Sequence, residues 1–269
     1  MGESGGLGLS AELADIRLQL CGCGTLNLSD LEGAGFDVQA ENHARAVLTK
    51  DFPEPLHELC DALMGVRISD VELIRGGGGE ANSTQRLRRS LADRGWLKRN
   101  IVIRKIVDGE ERAATSHEID HVRRTDNGAV ALEIEWNNKD PFFDRDLENF
   151  QRLHSEGAIS VGIIVTRGKS LQRNLIQIVM ECAANHDVGG FDDLGQFGLS
   201  PTVRQRHMVK EVGEGFVADW ARRFVQDKFG SATTHWDKLL ERIRRGVGNP
   251  CPLLLVGIPA DSIYQDEVD

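Results

Sequence analysis

The stretch that most limits what this chain can become is ISVGIIVT, residues 159–166. It is a continuous apolar, β-branched run without polar alternation, which reads as a strand buried on both faces. Such a strand needs a sheet around it and helices over it, so the expected class is α/β (α+β), a mixed central sheet flanked by helices. The bulk numbers agree with a globular protein: 269 residues, 40% hydrophobic and 28% charged. No run of about 18 uncharged apolar residues occurs, so no membrane span is expected. The opening MGESGGLGLS has no basic region before an apolar stretch, so no secretory signal is expected either. Cys21, Cys23, Cys60, Cys182 and Cys251 are odd in number and scattered, as reduced thiols are. The Cys21–Cys23 doublet lacks a second pair at zinc spacing.

Residues 1–10 read as disordered, and the region up to residue 69 as mostly helical, including AELADIRLQL and LHELCDALMG. VELIR (71–75) reads as a strand leading into Gly76–Gly79, which is not a nucleotide-binding loop because no Gly-Lys-Ser/Thr follows. Residues 80–96 read as a helix with Leu87 and Leu91 on one face and arginines on the other. Strands are expected at 100–108, 116–124 and 129–136, with Asn127-Gly128 turning the last two into a hairpin. Asp140 suits an N-cap and Pro141 the first position of a helix whose Phe143, Leu147 and Phe150 form an apolar stripe. That helix is open to two readings, a dimer interface or core packing. Beyond it come a Gly- and Asp-rich segment at 186–201 (a boundary or an inserted loop), helices at about 204–228 and 235–245, and a strand at 252–258. The expected organisation is an N-terminal region 1–69, one domain over 70–260 and an acidic tail 261–269.

Charge is unevenly spread. The net charge is −10, and residues 1–60 carry ten acids against three bases. Residues 86–105 reverse this, with Arg86, Arg88, Arg89, Arg94, Lys98, Arg99, Arg104 and Lys105 against Asp93 alone. A basic cluster is either a solvated helix face or a phosphate-binding surface.

The most informative stretch is EIDHVRRTDNGAVALEIEWNNKD. Glu133 and Glu135, two apart on a strand, point to the same face, while Val130, Leu132, Ile134 and Trp136 point to the other. The hairpin brings Asp120 towards them. Three converging carboxylates repel one another without a cation, and hard oxygen ligands suit Mg²⁺. The alternative is the wet face of an exposed hairpin. An acid cluster beside arginines points to phosphodiester chemistry.

Asp120, with Glu133-Ile134-Glu135 thirteen residues on, resembles the PD-(D/E)XK nuclease motif, with a glutamate in place of the usual lysine. The order helix, three strands, helix, strand is that superfamily's core. LEIEWNNKDPFFDRDLENFQRLHSEGAISVGIIVTRG, the upstream GGGGE…GW and the downstream FGSATTHWDKLLERIRRGVGNPCPLLLVGI resemble type II restriction endonucleases of the BglII/BstYI family, over roughly residues 70–260.

The resemblance implies a Mg²⁺-dependent homodimer that cuts double-stranded DNA at a palindrome centred on GATC, such as AGATCT or RGATCY, leaving 5′-phosphates. It also implies a bacterial cytoplasmic enzyme with a cognate DNA methyltransferase as its functional partner. Asp120 and Glu133 take the place of the metal-binding carboxylates, with the Ile134 carbonyl as a further ligand. Glu135 would orient or deprotonate the attacking water. Glu80 is either an auxiliary acid of the metal site or a helix-dipole acid. Asn138, or Asn137 in its stead, would read base edges beside Lys139. Thr233, Thr234 and His235 form either a recognition segment or a helix cap, Lys238 would hold phosphate, and Arg86 and Arg89 would line the DNA path. The competing readings are a repair or methylation-dependent nuclease on the same core, a non-cleaving DNA-binding module, and an acidic protein-interaction domain.

Overall fold

The structure is a computed structural model, and it describes residues 25–76, 79–209 and 215–266. The expectations for residues 1–10, AELADIRLQL, Cys21, Cys23, part of the Gly76–Gly79 run and the acids Glu267 and Asp269 of the tail lie outside them. Helices α1 (Leu28–Gly33), α2 (Ala44–Asp51) and α3 (Pro53–Met64) surround strand β1 (Asp37–Glu41). Strand β2 (Ile68–Ser69) leads directly into α4 (Asp70–Ile74), so VELIR is a helix rather than a strand. The cause is local: Ser69 accepts from the Val71 amide as an N-cap, and Asp70 and Glu72 sit at the positive helix end. Helix α5 (Asn82–Asp93) follows, then β3 (Leu97–Val107), β4 (Glu110–Thr125), β5 (Gly128–Glu135), α6 (Phe142–Ser155), β6 (Val161–Arg167) and α7 (Lys169–Asn185). The expected long helix at 204–228 is two helices, α8 (Val203–Met208) and α9 (Phe216–Phe229), followed by α10 (Trp236–Arg244) and strands β7 (Leu253–Ile258) and β8 (Ile263–Tyr264).

Six strands form a mixed sheet in the order β1-β7-β6-β5-β4-β3. The central pairs β5–β6 and β6–β7 are parallel, and the outer pairs antiparallel. Every residue of β6 is buried, as a central parallel strand requires. Strand β1 pairs Asp37 with Gly257, so the region before residue 70 supplies one edge of the sheet as well as helices. The Gly- and Asp-rich segment packs inward through Leu194 and Phe197. The hairpin loop between β4 and β5 is Asp126–Asn127, because Thr125 pairs with Gly128.

The alternation along β5 separates two apolar layers. Val130 and Leu132 join the layer under α1–α5, α7 and α9, whereas Ala129 and Ala131 face α6 and α10. Helix α6 buries Phe143, Leu147, Phe150 and Leu153, so its stripe packs into the core. It lies close to the sheet: a Cβ on Gly162 would sit 2.4 Å from the Phe150 ring. All four tryptophans are buried. No helix among the described residues is long and apolar enough to cross a membrane.

Candidate active site

Glu133 and Glu135 share the Ala129/Ala131 face of β5, the face that α6 covers. They are accordingly 6% and 3% exposed, which removes the reading of a wet hairpin face. A buried carboxyl resists ionisation. The Glu133 carboxyl is pushed up to about 9 by burial, then by the charges of Asp146, Asp120 and Glu135. Glu135 is pushed up to about 8, by burial and then by the adjacent Asp146 carboxyl, while Asn138 and Arg145 pull it down.

Asp120 enters from β4 at a β-bulge. Leu97 pairs with Val122 but Arg99 with Ile119, so two steps on β3 span three on β4, and the extra residue falls at Asp120–His121. A bulge re-aims side chains locally. The Asp120 amide donates to Glu133 Oε1 at 3.3 Å, and its carboxylate lies 3.6 Å from Lys98 Nζ. With its side chain 55% exposed, Asp120 is the solvent-facing member of the group. Residue 121 points to the opposite layer, where the buried His121 meets the Leu132 carbonyl at 3.3 Å.

Helix α6 contributes two groups that the sequence reading did not single out. Asp146 is 2% exposed; one of its carboxylate oxygens accepts from Arg145 Nε at 2.7 Å, and Oδ2 has no hydrogen-bond partner. Arg145 also approaches Glu135 Oε1 at 3.5 Å and stacks over the Phe142 ring. A signal was available: Asp146 is the one acid inside the apolar stripe Phe143–Leu147–Phe150.

The remaining candidates fall in three places. Asn138 is exposed and donates from Nδ2 to Glu135 Oε2 at 2.7 Å, beside exposed Lys139; Asn137 is half-buried with an unpartnered Oδ1. Thr233 and Thr234 lie against this segment. Lys139 bridges Thr233, the Thr234 amide donates to the Asn138 carbonyl, and Thr234 Oγ1 accepts from the Asn138 amide. Neither threonine caps α10: His235 is at the cap position without a side-chain cap bond, and it is buried at 7% exposure. Thr234 is wholly buried and Lys238 pairs with Glu241 at 3.1 Å. Glu80, Arg86 and Arg89 have other partners. Glu80 pairs with Arg88 at 3.1 Å, Arg86 is gripped by Glu72 through two hydrogen bonds, and Arg89 touches Gln85 at 3.4 Å. Asp140, expected to cap α6, instead pairs with Arg242 at 2.8 Å, and Pro141 takes the cap position.

As placed, among the described residues no three His, Cys, Asp or Glu side chains converge closely enough to hold a metal ion. What the site offers is a wall of acids, two of them held mainly protonated near neutral pH for want of positive charge, with one buried carboxylate oxygen unpartnered.

A family model described as "Restriction endonuclease BglII/BglIII" matches residues 36–258. The match begins well before residue 70, consistent with β1 belonging to the sheet. No curated protein matches the sequence.

Proposed function

The chain belongs to the BglII/BglIII restriction endonuclease family, and from that premise we propose that it is a Mg²⁺-dependent type II enzyme cutting a palindrome centred on GATC. Sequence-specific cleavage of DNA phosphodiester bonds is the activity of the family. The finer reading adds a site such as AGATCT or RGATCY, 5′-phosphate ends, a homodimer with one site per strand, and a bacterial cytoplasmic setting with a cognate methyltransferase. It treats Asp120 and Glu133-Ile134-Glu135 as the PD-(D/E)XK signature.

The observation that carries this reading is the burial of Glu133 and Glu135 side by side beneath α6, next to an unpartnered Asp146 oxygen. Acids raised to about 9 and 8 are short of a cation, and an all-oxygen set is what Mg²⁺ takes. Asp120, Glu133 and the Ile134 carbonyl would hold it. When bound, the ion supplies charge that polarises the scissile phosphate and makes water more acidic. Glu135, oriented by Asn138 Nδ2 and Arg145, would accept the proton of the attacking water in its ionised form, which a cation bound beside it would favour. Asn138 and Lys139, both exposed, meet the DNA, and the rim of Thr233, His235 and Lys238 follows. Arg89, and Arg86 on release from Glu72, lie along the phosphate path. Glu80, held by Arg88, acts as an auxiliary acid only when that pair opens.

Digestion of unmethylated phage-type DNA with Mg²⁺, followed by sequencing of fragment ends, tests the reading. Discrete ends beginning 5′-GATC are expected. Discrete ends with another overhang would discard the GATC assignment, and absence of cleavage on methylated and unmethylated DNA would leave a non-cleaving DNA-binding module.

A further inference from the structure

Arg167, the last residue of β6, is completely buried, and among the described residues it forms no ion pair. Burial alone pulls its guanidinium below the ordinary arginine range, yet an arginine stays cationic. Its hydrogen bonds all go to one segment: Nε and Nη2 donate to the Thr234 carbonyl at 3.3 and 2.7 Å, and Nη2 donates to Thr233 Oγ1 at 2.6 Å. Its plane lies over the Phe229 ring, at the C-terminal, negative end of α9. Nη1 is left without a partner. A buried cation with neutral acceptors costs stability that an apolar residue would not, so its use lies in what it holds.

It holds residues 233–234, and these in turn hold 138–140. The Thr234 amide donates to the Asn138 carbonyl at 2.8 Å, the Asn138 amide to Thr234 Oγ1 at 3.0 Å, and the Asp140 amide to the Ala232 carbonyl at 3.0 Å. Asn138 then reaches Glu135. We propose that Arg167 is a positioning residue that fuses segments 137–140 and 231–235 into one rigid reading head, so that correct seating on DNA is transmitted through Asn138 to Glu135. This inference rests on the nuclease reading above. Base reading tolerates errors of roughly half an ångström in such a segment, which a single-point lysine contact cannot guarantee and a guanidinium fork can.

The test is Arg167→Lys, which keeps the charge and loses the fork. Two readouts are taken on the full chain: the ratio of cleavage rates at the cognate site and at sites altered by one base pair, and hydrogen exchange of the Asn138 and Thr234 amides without DNA or metal. The expected result is a drop in the ratio of at least about tenfold, equivalent to about 1.4 kcal/mol, with faster exchange at both amides. Equal loss at cognate and altered sites, or unchanged exchange, overturns the proposal, since a merely structural residue affects all substrates alike. Should Arg167→Lys not fold, Phe229→Leu removes the ring beneath the guanidinium and is read the same way. If the wild-type protein cuts no DNA the nuclease reading fails, and amide exchange still decides whether the clamp exists.

Discussion

The molecule buries ionisable groups of both signs at two places on the neighbouring strands β5 and β6, and handles them differently. At Glu133, Glu135 and Asp146 three acids are packed together with one arginine and an unpartnered oxygen. At Arg167 a lone cation is met by a carbonyl, a hydroxyl and an aromatic ring. Neutral acceptors satisfy Nε and Nη2 of the arginine without a counter-ion, and Nη1 alone is left unpartnered. The acids have the Asp120 amide, Asn138 Nδ2 and a single arginine between them, and remain short of positive charge. The lesson is that burial of charge marks a ligand site only where the surrounding groups leave the charge unanswered.

The comparison is broken most severely by Glu133→Ala. Cleavage is expected to fall on the order of a thousandfold or more, because several kcal/mol of charge stabilisation depend on the ion it would hold. DNA binding in Ca²⁺ should stay within a few-fold, and retained cutting would remove Glu133 from the metal site. The next effect is one of pH. With folded values of about 9 and 8 against an ordinary 4.5, Glu133 and Glu135 contribute stability that is complete below about pH 4.5 and lost as pH rises through 8 and 9. The melting temperature of metal-free protein should therefore fall across that window, and Glu133→Gln should flatten the slope; an equally steep profile in the variant would assign the loss elsewhere. Gly162→Ala drives a methyl group into Phe150 and lifts α6 from the sheet, at about 1–3 kcal/mol in urea unfolding. Smallest is Thr234→Val, which strips the Asn138 amide of its acceptor for about 1 kcal/mol, with no change in the pH slope. A changed slope there would mean that the two charge sites are not separate.

Much of this was legible from the residues. Alternation in AVALEIEW put Glu133 and Glu135 on one face, and unbroken apolarity put β6 at the centre. What local pattern cannot register is what lies opposite. The sequence alone left Glu133 and Glu135 open to being solvated, because the helix that covers them is read separately. VELIR, five residues long, has no decisive period, although the Ser69-Asp70 start was a readable cap. DVQAE in β1 is half-buried throughout and carries no apolar run, so only its long-range pairing defines it. The Asp120 bulge arises from the register of β3 and has no signature in β4. Thr233 and Thr234 invited a choice between cap and base reader because the Arg167 fork, 66 and 67 residues away, is invisible in their neighbourhood.

The pairing of Asp37 with Gly257 also governs when this protein can come into being. Strand β1 leaves the ribosome well before β7, yet β7 separates β1 from β6 in the sheet. Closing so long a loop is slow and must await the emergence of β7. A product that lacks β7 therefore carries the apolar central strand β6 on an open sheet edge, and β1 has no strand to pair with until β7 is made.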